Sequence, residues 1–166
     1  MIFLFLITLL PSKQSLYAND VDIMVIRKLF YTGTIGKKQA EIFINKMETL
    51  KNSTDPVINS YYGMALLLEA KHGLNPYTKL NNFKKGREIL DNAVTKASQN
   101  VEIRFLRFSV QTNAPFFLNY NRNISADKAV ILEGWPKLKD ADLKSRIKIF
   151  MLNSSNCTNA ERAIFK

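Results

Sequence analysis

The residues best suited to chemistry in this chain lie between positions 101 and 121, VEIRFLRFSVQTNAPFFLNYN. Arg104, Arg107 and Gln111 recur there at helical intervals, so an α-helix lines two guanidinium groups and an amide along one stripe. A guanidinium fork matches a bidentate oxygen ligand, which makes the stripe a candidate site for a carboxylate or a small anion. Asn113, Tyr120 and the distant His72 complete the candidate ligand- or partner-binding set. The competing role for these arginines is internal. Ile103, Leu106 and Val110 flank the stripe on one side and Phe105, Phe108 and Thr112 on the other, so the helix is sandwiched and its charges need acceptors. Glu69 is the expected one. It is the only charge in residues 64–70 and shares a stripe with Tyr62, Ala65, Leu66 and His72, which predicts a structural ion pair of Glu69 with Arg104 or Arg107.

Catalytic constellations are scarce. His72 is the single histidine, and although Glu69 and His72 have the Glu-x-x-His spacing of a helical di-metal site, such a site needs a second copy. The sequence holds no histidine-bearing zinc set, glycine-rich phosphate loop or nucleophile elbow, so no catalytic residue, metal or cofactor is assigned. Cys157 is the only cysteine, which excludes an intramolecular disulfide.

The elements that must position these residues are helical. Val101, Ile103 and Phe105 alternate as a strand would, but the alternation breaks at Phe105-Leu106 and no segment offers a partner strand. Helical spacing predicts about seven helices, over residues 19–34, 37–50, 56–72, 83–98, 101–112, 125–133 and 140–152. The first carries Val21, Met24, Val25, Lys28 and Leu29 at helical spacing behind an Asn19-Asp20 cap, and Pro56 opens the third. Residues 74–82 read as an ordered loop begun by Asn75-Pro76, and Pro115 ends the central helix ahead of an aromatic loop of Phe116, Phe117, Leu118 and Tyr120. Residues 153–166 are expected to be a flexible tail.

The chain has 166 residues, 46% of them hydrophobic, enough for one domain with its own core. It opens on MIFLFLITLLP, an apolar run shorter than the roughly twenty residues that span a bilayer. With a small residue at the end of Leu16-Tyr17-Ala18, that run reads as a signal peptide over residues 1–18, followed by a single helical domain over 19–152 in the periplasm or outside the cell. Removal of such a leader leaves no transmembrane helix. The net charge of +10 attracts anionic partners, an envelope surface among them. The lysines are scattered rather than interleaved with aromatics, which argues against nucleic acid.

An imperfect internal repeat underlies the helices. Ala40, Ile44 and Met47 share a spacing with Gly86, Leu90 and Ala93, and Tyr62-Gly63 with Leu66 supplies the large–small pair of an intervening helix. Over residues 37–112 this resembles the tetratricopeptide repeat, interrupted by an insertion of about eleven residues near position 75 and by Phe108 where a small residue belongs. The resemblance implies an all-α stack of antiparallel helical hairpins, a short tetratricopeptide-like solenoid. The segments EAKHGLNPYTKLNNFKKG (69–86) and NVEIRFLRFSVQTNAPFFLNYNRNI (100–124) also resemble an uncharacterised family of small exported helical proteins from Bacteroidota. That likeness implies export and helices and supplies no catalytic residue. The expected function is a non-catalytic protein- or peptide-interaction module of the cell envelope. The alternative is a small-anion-binding protein or enzyme using Arg104, Arg107 and His72.

Overall fold

Helix-start chemistry recurs along the chain, and the computed structural model, which describes residues 22–166, uses it at most helix boundaries. The apolar run and cleavage point at 1–18 lie outside the described residues, as does the Asn19-Asp20 cap. Eight α-helices are present among the described residues: α1 (Ile23–Gly33), α2 (Lys37–Glu48), α3 (Pro56–His72), α4 (Pro76–Lys96), α5 (Val101–Asn113), α6 (Ile124–Gly134), α7 (Ala141–Asn153) and α8 (Asn159–Ala163). Single 3-10 turns occupy Phe116–Leu118 and Trp135–Lys137, and no strand occurs among the described residues. The side chains of Asp22, Asp55, Asn75, Asn100, Asp140 and Thr158 accept N–H groups of the first turns of α1, α3, α4, α5, α7 and α8. Each removes part of the cost of a helix end that has no intrahelical partner.

Two expectations are corrected. Residues 74–82 are not a loop: Asn75 Oδ1 accepts from the Tyr77 and Thr78 N–H groups and Pro76 takes the first helical position, so Asn-Pro starts α4. The extra residues lengthen the helix to 21 instead of bulging from it. Residues 153–166 are not a loose tail either. Thr158 and Glu161 form a reciprocal capping box, and the Phe165 ring lies 4.9 Å from that of Trp135, where both are buried. In α1, Met24 and Val25 face solvent and the inward stripe is Ile26, Arg27, Phe30 and Gly33.

The helices pack as consecutive hairpins, α1 with α2, α3 with α4 and α5 with α6. One apolar cluster gathers Ile26, Phe30, Phe43, Met47, Tyr61 and Leu68 with Leu106 of α5; another gathers Phe105 and Phe108 of α5 with Ile131, Trp135, Ile147, Met151 and Phe165. α5 therefore lies between two cores, as its two apolar faces require. Up-and-down winding puts the α1–α2, α3–α4 and α5–α6 connections at one end, where Lys71 Nζ donates to the Thr34 carbonyl and Leu118 packs beside Ala70. The α2–α3 and α4–α5 connections share the other end, where Val57 packs with Val94 and Ile103.

The closest helix contact is between α3 and α4. A Cβ on Gly86 would lie 2.8 Å from the Gly63 carbonyl oxygen, and one on Gly63 would lie 2.9 Å from that of Gly86. Backbone cannot yield as a flexible side chain can, so an added methyl group must separate the helices. Gly86→Ala is expected to lower stability by about 1–3 kcal/mol despite alanine's better helix propensity, as overpacking outweighs propensity. Urea unfolding of the two proteins checks this, and an unchanged midpoint would show that the helices part freely.

Candidate functional site

The arginine stripe of α5 meets the next helix. Asp127, in the first turn of α6, is fully buried, and its carboxylate gathers the stripe onto one point. Oδ1 accepts from Arg104 Nη1 at 2.8 Å and Arg107 Nη2 at 2.7 Å, and Oδ2 accepts from Arg107 Nε at 2.8 Å and Gln111 Nε2 at 2.9 Å. A carboxylate offers about four lone-pair directions, and four N–H groups fill them. Three further groups of the set are also taken. Arg107 Nη1 donates to Asp91 at 2.9 Å, Arg104 Nε donates to the Ser98 carbonyl at 2.7 Å, and Gln111 Oε1 accepts the Asn123 N–H at 2.9 Å. Burial opposes the charge on Arg107, but its bonds to Asp127 and Asp91 outweigh that and hold its pKa above the ordinary value.

A second buried network ties α5 to the opposite side of the fold. Arg27 of α1 grips Glu102 with Nε and Nη2 at 2.6 and 2.8 Å, and its Nη1 donates to Asp140 at 2.6 Å. The Tyr61 hydroxyl donates to the same Glu102 at 2.8 Å. Here too burial works against the guanidinium charge and the two carboxylates prevail. Burial, reinforced by the Glu102 charge, raises the Tyr61 phenol well above its ordinary range. Alongside, the Arg146 guanidinium stacks 3.9 Å from the Tyr31 ring centre.

The structure divides the sequence-predicted set. Arg104, Arg107 and Gln111 converge, on Asp127 rather than on a ligand. Glu69 is exposed and pairs with neither arginine, because the stripe faces α5's hairpin mate α6 instead of α3. His72 ends α3 at one end of the fold, half-buried and with Nε2 unpartnered, whereas Arg104 contacts the α4–α5 connection at the other end. The expected Arg104/Arg107/His72 cluster therefore does not form. Asn113 is exposed and donates back to the Ser109 carbonyl. Tyr120 turns inward, its ring 6.0 Å from Phe83 and its hydroxyl 3.0 Å from Asp91, so it parts from the exposed Phe116 and Phe117. Burial, first, and Asp91, second, raise its phenol pKa.

Sequence reasoning missed Arg27, Glu102, Asp127 and Asp91. The readable signal was a charge at an otherwise inward position, as Arg27 stands between Ile26 and Phe30. Outside the networks, Arg87, Asp91, Asn119, Tyr120, Arg122 and Asn123 line an open cleft of about 270 Å³. Asn119 takes a left-handed conformation there, φ 48°, which turns the chain back toward α4. Neither Arg87 nor Arg122 has a carboxylate within 4.0 Å among the described residues. Among the described residues, no three His, Cys, Asp or Glu side chains are grouped to hold a metal ion. Comparison of the chain with protein-family models, curated proteins and solved structures finds no match.

Asp127→Ala strands two guanidinium groups in the interior, so it is expected to cost about 3–5 kcal/mol in chemical denaturation. Glu69→Ala, at an exposed site, is expected to stay within about 0.5 kcal/mol of the parent. Equal effects of the two substitutions would contradict the network.

Proposed function

We propose that the protein is an exported, non-catalytic interaction module of tetratricopeptide-like hairpins, allied to the small exported helical proteins of Bacteroidota, which holds an acidic peptide segment in the Arg87–Arg122 cleft. The observation that carries this reading is the division among the arginines. Inside the fold Arg27 and Arg107 are each engaged by two carboxylates and Arg104 by Asp127 and the Ser98 carbonyl, whereas Arg87 and Arg122 border a concavity with no carboxylate within 4.0 Å of either among the described residues. The side chains of Asn119 and Asn123 add amide groups beside them, a donor-rich set suited to carboxylates and peptide carbonyls. Gln111 holds the loop through the Asn123 N–H, and Asp91, itself on the cleft wall and paired with Arg107, holds it through the Tyr120 hydroxyl, so the cleft needs little ordering on binding. The apolar run at the N-terminus supports export, and the hairpin pairs with their glycine contact support the repeat reading.

The small-ligand and enzyme alternatives are less well supported. The cleft, about 270 Å³, is open, whereas small-molecule pockets enclose most of their ligand's surface. Asp127, the buried carboxylate nearest the site, has its lone pairs occupied and cannot take a substrate proton.

A random peptide library displayed on phage and panned against the protein should yield sequences enriched in Asp and Glu. The Arg87→Glu, Arg122→Glu variant should bind those peptides at least about tenfold more weakly while keeping its thermal midpoint, since rim charges govern association more than folding. Selected peptides without acidic enrichment, or with unchanged affinity for the folded variant, would remove the cleft from consideration.

A further inference from the structure

The most exposed apolar side chains are not spread evenly over the surface. Ile35 (82% exposed), Leu74 (91%), Tyr77 (87%), Phe116 (90%) and Phe117 (81%) all belong to three connections at one end of the hairpin stack, or to the first turn beyond them. Leu80, one turn further into α4, adds a partly exposed sixth. The connections at the other end, residues 49–55 and 97–100, expose no large apolar side chain. The remaining exposed apolar residues are less exposed: Ile42 and Ile149 lie along helix flanks, Met24 and Val25 in the first turn of α1, and Ile164 just past α8.

The same end is basic. Residues 33–38, 71–80 and 113–119 contain Lys37, Lys38, Lys71 and Lys79, all exposed, and no Asp or Glu. Turn residues such as Gly, Asn and Pro account for the bends there, but they do not call for Leu, Tyr and two Phe at positions that touch nothing. Solitary exposed apolar residues are ordinary; five on adjoining turns ringed by lysine are not.

We infer that this end of the molecule docks on an anionic lipid bilayer, with the five apolar side chains entering the headgroup layer and the four lysines meeting lipid phosphates. Charge complementarity selects this occupant. A collar of four lysines, with Glu41 and Glu69 the acids next to it along α2 and α3, keeps a positive excess that is attracted to an anionic leaflet and repels a second copy of itself. Shape agrees: the apolar groups project from three separate turns, and none of them lines either the Arg87–Arg122 cleft or the cleft between Tyr62 and Asn92, whereas a protein hot spot needs a walled pocket. Aromatic rings at headgroup depth and lysines whose stems lie along apolar surface are the pattern of interfacial binding. The inference uses none of the Arg87–Arg122 cleft residues, so either can fail alone.

The test uses the chain without residues 1–18, which retains every residue of the four apolar clusters. Its sedimentation with vesicles of phosphatidylcholine is compared with that on vesicles in which about a third of the lipid is phosphatidylglycerol, enough for a negative surface potential. Binding is expected on the anionic vesicles alone, weakened by salt. Phe116→Ser with Phe117→Ser should weaken it by about tenfold or more, and Lys37→Gln, Lys38→Gln and Lys79→Gln should abolish the preference for anionic lipid. Ile42→Ser, on a helix flank, should leave it unchanged. Should the phenylalanine variant unfold, Leu74→Ser with Tyr77→Ser asks the same question. Absence of binding by the folded chain, or equal binding by folded tip variants, overturns the inference. A dimer that dissociates on the phenylalanine substitutions, without vesicle binding, would assign the tip to a second copy instead.

Discussion

A buried guanidinium must have its carboxylate, and three of them surround α5. Arg104 and Arg107 project from it toward Asp127 of α6, while Glu102 on its other side receives Arg27 of α1. α5 is the member common to both networks, and they hold it between the two main apolar cores. Hydrophobic burial is non-directional and would tolerate a rotated or shifted α5. The ion pairs would not, since any other pairing leaves Asp127 or Arg27 buried without partners, the costliest defect an interior can carry.

That arrangement also shapes the outside of the molecule. Asp91, Glu102, Asp127 and Asp140 are engaged by three inward arginines, so the rest of the surface is more basic than the overall charge suggests. Arg87 and Arg122 keep their charge free at a cleft, and the four lysines at the apolar end keep a positive excess over the neighbouring Glu41 and Glu69. Both proposed contacts, with an acidic peptide and with an anionic bilayer, draw on the excess of Lys and Arg over Asp and Glu that the chain carries, 24 against 14. They act at separate places, so one molecule could sit on a membrane by its end and hold a polypeptide on its side.

Much of the helical framework was legible in the sequence because the determining signals are local. Pro56 behind Asp55, the stop at Pro115 and the two apolar faces of residues 101–112 are read within a turn or two of chain, and α3 and α5 follow them closely. Asn75-Pro76 shows the limit. The same dipeptide opens a loop or caps a helix, and the choice rests on whether the following residues find a surface to pack on; Phe83 and Leu90 find α3, and α4 extends back to Pro76. The C-terminal segment is similar, since Phe165 is an unremarkable tail residue until Trp135 lies beneath it.

The sequence by itself determined that the chain is helical, that residues 101–112 form a helix buried on two sides, and that Arg104, Arg107 and Gln111 lie on one line needing acceptors. Backbone periodicity and the cost of an unpaired buried charge suffice for those conclusions. Which acceptor serves was decided only by tertiary structure. Glu69 and Asp127 are both single carboxylates on apolar stripes, and the difference between them is which helix lies against α5 along that line. Ion pairing depends on distances of about 3 Å between residues far apart in sequence, and such distances are set by how hairpins stack and not by the spacing within any one of them.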